Sequence, residues 1–146
     1  MIDISLSCVN NWTGMYKIND KLAIYGFNGN ARNTNPEMRY CNQEIGEIDG
    51  FKIVDVRMLN DGNNSLEEYK LNIERVLSWL RDNTNVVVCC DTGKSRSNAI
   101  ALAVLVKYFQ LNFYDAWELI KQKVSISNVN PSLISDLKKL FTVSLP

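Results

Sequence analysis

The sequence contains no histidine. That removes the commonest general base and the commonest zinc ligand, so a Ser-His-Asp or Cys-His site is impossible. Net charge is also missing, because sixteen basic residues balance sixteen acidic ones. A global electrostatic footprint for nucleic acid or anionic membrane is thereby excluded, although a local one is not. No run of about 18 apolar residues occurs, so no membrane-spanning helix is expected. The opening MIDISLSCVNNW has neither the basic start nor the apolar core of a signal peptide. Internal repeats and low-complexity tracts are absent too. These absences lead us to expect an intracellular, cytoplasmic and reducing setting. There, Cys8, Cys41, Cys89 and Cys90 are free thiols rather than a disulfide framework, and the N-x-S/T triplets at Asn11 and Asn63 carry no glycan.

What remains is an ordinary globular composition, with 46% apolar and 22% charged residues. A chain of this length typically makes one domain and buries about two-thirds of its unfolded surface. Residues 1–146 therefore read as one domain, expected to be a monomer, with no need of staples.

Met15–Ile18 and Lys21–Tyr25 read as short strands joined by a tight Asn19-Asp20 turn. Asn28–Gly50 scatters Asn, Gly and Pro among charges and reads as loop. Phe51–Met58 (FKIVDVRM) is the next expected strand, ended by the polar run Asn60–Asn64. Ser65 opens a helix and Glu68 completes a capping box, with Tyr69, Ile73, Val76, Leu77 and Leu80 at helical spacing. Val86–Cys89 has the continuous apolar character of a fully buried strand. Asn98–Phe109 (NAIALAVLVKYF) is apolar nearly all round and should be a central buried helix. Asn112 with Asp115 caps a helix through Lys123. Asn130-Pro131 starts the last one, with Leu133, Ile134, Leu137, Leu140 and Phe141 inward. Trp12, Trp79 and Trp117 read as packing residues. The alternation implies an α/β or α+β domain. We adopt α/β, with a central, mostly parallel sheet flanked by helices.

One stretch stands apart: VVVCCDTGKSRSN, from Val86 to Asn98. It sits between a buried strand and a buried helix. A loop entering a helix N-terminus offers unpaired N–H groups and the positive end of the dipole, which suit a phosphate or sulfate. The loop is Asp91, Thr92, Gly93, Lys94 and Ser95, and Gly93 allows it to curl. Arg96 can grip two anion oxygens in a fork. Cys90 lies at the bottom, in surroundings that lower a cysteine pKa to about 3.5–7.5. A thiolate beneath a phosphate is placed for in-line attack on phosphorus. Ser97 can then donate to the sulfur as it leaves. Cys89 faces the other way on an extended strand and reads as packing. A sharper reading makes it, Cys8 or Cys41 the partner of an oxidised Cys90, although vicinal disulfides are strained. Lys94 is either a solvated charge or a second cation for polyanionic head groups, an effect that Asp91 opposes.

The spacing Cys90-x5-Arg96-Ser97 resembles the signature of the cysteine-dependent protein phosphatases, and among them the compact dual-specificity type. The resemblance runs from about Leu22 to Leu140. The signature H-C-x-x-G-x-x-R-S/T is matched at Cys90, Gly93, Arg96 and Ser97, with Cys89 where the family has histidine. The family's general-acid aspartate lies on a loop upstream, where Asp61 stands in Met58-Leu59-Asn60-Asp61-Gly62. Asn-Asp-Gly is also simply a turn, and Asp55, inside its strand beside Arg57, is the rival acid. Asn130-Pro131-Ser132-Leu133 resembles the family's asparagine-led last helix. The family often has an extra strand and helix where this chain has Asn28–Gly50. The resemblance implies attack by Cys90 on a phosphate monoester held by the loop and Arg96, with Asp61 as acid and then base. No metal or cofactor is implied. The implied partner is a phosphorylated protein bearing phosphotyrosine, phosphoserine or phosphothreonine, with a phosphoinositide or RNA 5′ phosphate as further candidates.

Three other readings compete. Gly93-Lys94-Ser95 imitates the end of a Walker loop, but position 88 is Val88 where that loop needs glycine. Val54-Asp55-Val56-Arg57 resembles the D-x-R stretch of rhodanese-type sulfurtransferases, without their Gly-His-Ile-x-Gly-Ala-like step. A non-catalytic phosphate-binding module would keep the cradle and lose turnover, and the absent histidine supports it.

Overall fold

The computed structural model describes residues 15–27 and 46–144. Cys8, Asn11, Trp12, Cys41 and residues 28–45 of the expected loop lie outside the described residues. In chain order the elements are β1 (Tyr16–Lys17), β2 (Leu22–Gly26), β3 (Glu47–Ile48), β4 (Phe51–Asp55), α1 (Leu66–Arg81), β5 (Val86–Cys90), α2 (Arg96–Lys107), α3 (Phe113–Lys123) and α4 (Pro131–Ser144). The strands form one sheet in the order β1-β2-β5-β4-β3. The three inner strands are parallel, and each outer strand is antiparallel to its neighbour. This is the expected α/β arrangement.

β5 can sit centrally because every residue from Val86 to Cys90 is buried, as a parallel strand covered on both faces requires. Its pairing with β2 runs from Leu22↔Val86 to Gly26↔Cys90, and with β4 from Lys52↔Val86 to Asp55↔Cys89. Successive side chains of a strand point to opposite faces, and the core divides accordingly. Leu22, Ile24, Val54, Val86, Val88 and Cys90 join the inward faces of all four described helices. Ala23, Tyr25, Phe27, Val87 and Cys89 form a second cluster with Ile48 and Phe51.

α2 is buried continuously from Ser97 to Leu105, so it packs against neighbours all round. Each fully buried Leu, Ile or Val there contributes about 1.5–3 kcal/mol relative to exposure. α1 turns Tyr69, Ile73, Val76, Leu77 and Leu80 inward, and Ser65 caps it as expected. Asn112 accepts the Asp115 N–H at 2.8 Å at the start of α3. Asn19 Oδ1 accepts the N–H groups of Lys21 and Leu22 at 2.8 and 2.9 Å, closing the first turn.

Four expectations need correction. The strand expected to run to Met58 stops at Asp55, because the Asp55 carboxylate accepts the Arg57 N–H at 2.9 Å and Leu59 N–H turns back to Val56 O. The expected loop through Gly50 contains β3, since Asp49 and Gly50 both take positive φ and close a two-residue hairpin onto β4. Asp-Gly is a strong signal for that turn. α2 begins two residues earlier than the apolar run, at Arg96, and ends at Lys107. Trp79 is not a core residue: it is 37% exposed, with the Lys52 ammonium 5.0 Å from its ring centroid. Trp117 does pack, edge-on to Phe113.

The capping box on α1 satisfies two otherwise orphaned N–H groups, Glu68 N–H on Ser65 Oγ and Ser65 N–H on the Glu68 carboxylate. Ser65→Ala should remove about 1 kcal/mol of stability. A lower urea midpoint at unchanged slope is the expected result, and an unchanged midpoint would mean the cap is not contributing.

Candidate active site

β5 delivers Cys90 to the sheet's C-terminal edge, where Phe27 N–H takes its carbonyl at 2.9 Å. The Cys90 side chain is 1% exposed and turned toward the helical layer. Its Sγ receives the Gly93 N–H at 3.3 Å and lies 3.2 Å from Ser97 Oγ. Cys89, one residue earlier, points to the opposite face and is fully buried, with its Sγ 3.8 Å from Val87 O. Burial pushes the Cys89 thiol well above its usual range, with Asp55 and Cys90 adding to the effect and Arg57 opposing it. The paired cysteines therefore differ in direction and in hydrogen-bond partners.

The loop curls over the end of β2. A Cβ on Gly26 would lie 2.3 Å from Thr92 C, and Gly93 takes φ +72° with its own Cβ position 2.9 Å from Gly26 N. Glycine is required on both sides of this contact. Two further bonds fix the loop. Asn98 Nδ2 donates to Gly93 O at 2.8 Å from below, and Asn128 N–H reaches Lys94 O at 2.8 Å from the segment before α4. Thr92 and Lys94 are exposed.

Arg96 is braced along one side. Its Nη1 donates to Arg57 O and Leu59 O, both at 3.0 Å, and its Nη2 pairs with Asp91 Oδ2 at 2.9 Å. The guanidinium thus ties the loop to the segment leading into Asp61. That segment turns sharply: Asn64 Oδ1 accepts the Asn60 N–H and Asn64 Nδ2 donates to Asn60 O, so Asp61, Gly62 and Asn63 project between them. Ser95 Oγ donates to Asp61 Oδ1 at 2.6 Å and accepts the Asn130 N–H at 2.9 Å. Asn130 Nδ2 donates to Asp61 O at 2.6 Å.

Direct contacts thus join Cys90 to Gly93 and Ser97, Arg96 to Asp91, and Ser95 to Asp61. The rival Asp55 is occupied by Arg57 through side-chain bonds of 2.8–3.1 Å. Arg57 in turn lies 4.3 Å from the Phe27 ring centroid. Its guanidinium is held even more firmly protonated than usual, mainly by the Asp55 hydrogen bond. Among the described residues, no group of three or more His, Cys, Asp or Glu could hold a metal ion. Sequence reasoning missed Gly26 and Asn98. Gly26 ends a strand next to an aromatic, which is a recognisable sign of close backbone approach. Asn98 opens an otherwise apolar run, which hid it as a helix start.

The family model described as dual specificity phosphatase, catalytic domain, matches residues 10–142. That extends beyond the Leu22–Leu140 span of the motif resemblance. Among curated proteins, the tyrosine-protein phosphatase pmp1 of Schizosaccharomyces pombe is 30% identical over 98 residues, covering 67% of this chain and 35% of that protein. The Drosophila melanogaster dual specificity protein phosphatase MPK-4 is 35% identical over 66 residues, covering 45% of this chain and 17% of that one. The chain therefore spans well under half the length of either relative. A mouse putative dual specificity phosphatase, solved with zinc tungstate, superposes with a TM-score of 0.68 at 16% identity, covering 88% of this chain and 87% of that one.

The Asp91 carboxylate pairs with Arg96 Nη2 at 2.9 Å, within the loop expected from the sequence to hold an anion. Asp91→Asn should tighten inorganic phosphate binding roughly tenfold, by removing both the competing pair and a like charge. Titration calorimetry at low and high salt measures it. Unchanged or weaker binding would make the pair a support rather than a competitor.

Proposed function

The chain belongs to the dual specificity phosphatase catalytic-domain family, and on that footing we propose that it hydrolyses phosphate monoesters through a phosphocysteine on Cys90. The observation that carries this reading is the pair of contacts on Cys90 Sγ, from the Gly93 N–H and Ser97 Oγ, with Arg96 at the first position of α2. The loop N–H groups and Arg96 hold the three non-bridging oxygens, and Cys90 thiolate attacks phosphorus in line. The P–O ester bond breaks as Asp61, protonated, gives its proton to the leaving oxygen. Water then attacks the phosphocysteine, Asp61 takes the water's proton, and the S–P bond breaks with Ser97 donating to the departing sulfur. Atoms and charge balance with phosphate and the free hydroxyl as products.

The substrate class we infer is a phosphorylated protein side chain, phosphotyrosine or phosphoserine/threonine, with a phosphoinositide or RNA 5′ end as the alternatives. The protein acts as a monomer, with 1–146 as one catalytic domain, in a reducing cytoplasmic compartment where a thiol nucleophile stays reduced. Among the described residues no helix is long and apolar enough to cross a membrane. A second reading, a phosphate-binding module without turnover, is favoured by one contact, the Asp91–Arg96 pair within the cradle.

The test is hydrolysis of an aryl phosphate in EDTA across pH 5–8. Turnover should vanish in Cys90→Ser. Asp61→Asn should lower kcat by about 10²–10⁴-fold and abolish the fall in rate at higher pH, since that fall reports loss of the acid's proton. Turnover that survives Cys90→Ser would sink the mechanism. Tight tungstate binding without turnover would instead select the binding module.

A further inference from the structure

Asn98 has no place in the scheme above, yet it is the most unusual side chain near the sulfur. It is 0% exposed at the head of a helix whose next residues, Ala99 to Leu105, are all apolar and buried. Its Nδ2 donates to Gly93 O at 2.8 Å and lies 3.3 Å from Ser97 Oγ. The first contact fixes which end of the amide is nitrogen, because a carbonyl oxygen can only accept. Its Oδ1 is then buried with no hydrogen-bond partner. An orphaned buried acceptor is unfavourable, and an apolar residue of the same shape would pack without that penalty.

We propose that Asn98 is a positioning residue, its carboxamide aiming the Ser97 hydroxyl at Cys90 Sγ and turning the Gly93–Lys94 peptide so that its N–H faces the bound anion. This deepens the phosphatase reading and rests on it for the identity of the anion. The hydroxyl has one proton. With an Asn98 N–H directed at a lone pair of Ser97 Oγ, that proton is left to turn toward the sulfur 3.2 Å away. The sulfur then has two donors, Ser97 O–H and Gly93 N–H. The second effect follows from peptide geometry. No peptide bond described here is cis, and in a trans peptide C=O and N–H point opposite ways. Pinning Gly93 O down onto Asn98 therefore directs the Lys94 N–H up, toward the mouth of the loop.

The charged and titratable groups around Cys90 come from several elements. Asp91, Lys94 and Arg96 stand on the loop and α2, Asp55 and Arg57 at and just after the end of β4, and Asp61 on the following turn, while Tyr25 and Cys89 lie on the opposite face of the sheet. All are kept in an Asn98 variant, so a change in Cys90 reactivity reports the carboxamide.

The experiment is the pH dependence of Cys90 alkylation by iodoacetamide in wild type, Asn98→Leu and Asn98→Ala, with Cys90→Ser as background. Alkylation needs no turnover, so it reads the thiolate even if the protein hydrolyses nothing. In Asn98→Leu the alkylation midpoint should rise by about one pH unit, and inorganic phosphate should bind roughly tenfold more weakly. Its thermal midpoint should stay close to wild type, because leucine removes the orphaned Oδ1 while leaving Gly93 O without its partner. Asn98→Ala should give the same two functional shifts with a lower thermal midpoint, and it carries the test if the leucine variant does not fold. An unchanged alkylation profile in a folded variant overturns the proposal and leaves Asn98 as a packing residue. Shifted alkylation in a protein whose wild type lacks ester hydrolysis would support the positioning role while overturning the catalytic reading.

Discussion

The site depends on one backbone contact, the passage of the loop after β5 across the end of β2. Gly26 and Gly93 meet there so closely that a Cβ on either would fall within 3 Å of the other segment. Parallel pairing brings them together, since Gly26 is the register partner of Cys90. The contact forces the chain to curl directly after Cys90 instead of continuing as a strand. That curl sends the Gly93 N–H back to the sulfur and lets α2 start at Arg96. A longer strand or a bulkier residue at either position would move the N–H groups away from the helix axis. The dipole and the loop amides would then no longer act on the same point.

The chain's overall neutrality conceals a locally arranged set of charges. Arg57 is committed to Asp55 and to the face of Phe27, so it serves mainly to shape the turn. Arg96 uses one nitrogen on two carbonyls of that same turn and the other on Asp91. This arrangement makes the arginine part of the scaffold before any anion arrives. An anion bound in the loop would then meet a cation that already has a counter-ion. Under the proposed function, selectivity for phosphate comes more from the geometry of the N–H groups than from bare positive charge.

Much of this was legible in the sequence because the signals were local. The capping box at Ser65, the Asn112–Asp115 cap and the all-round apolar helix each depend on residues a few positions apart. The alternation of side chains along one strand was enough to separate Cys89 from Cys90. The misses have a common cause: they depend on what lies opposite. The strand through Met58 reads well by composition, but Asp55 folds back onto Arg57. Gly26 matters only because Thr92 and Gly93 lie over it, and Ser95 is a bridge to Asp61 and Asn130 rather than merely a loop residue. Asn98 looked like a helix start because its partner, Gly93 O, precedes it across the loop. The short β3 was readable from Asp49-Gly50 but was masked by the polar composition around it.

The loop after Cys90 and the Asp61 turn are held in place by hydrogen bonds from other elements. The bonds converge from three directions. Asn128 and Asn130, just before α4, hold the loop and the Asp61 turn, and Tyr69 on α1 donates to Asp136 on α4 at 2.7 Å while receiving an Asn64 N–H. Burial drives the Tyr69 phenol well above its usual range, with Asp136 adding to the shift against the Asn64 bond. It therefore stays a donor throughout the pH range in which Asp61 and Cys90 would work. The Asp61 turn and the loop after Cys90 are thus both fastened to the segment that leads into α4, and the Asp61 turn also to α4 itself through Asn64, Tyr69 and Asp136. If Asp61 and Cys90 act as proposed, a loosened α4 degrades both half-reactions together, because each uses both residues.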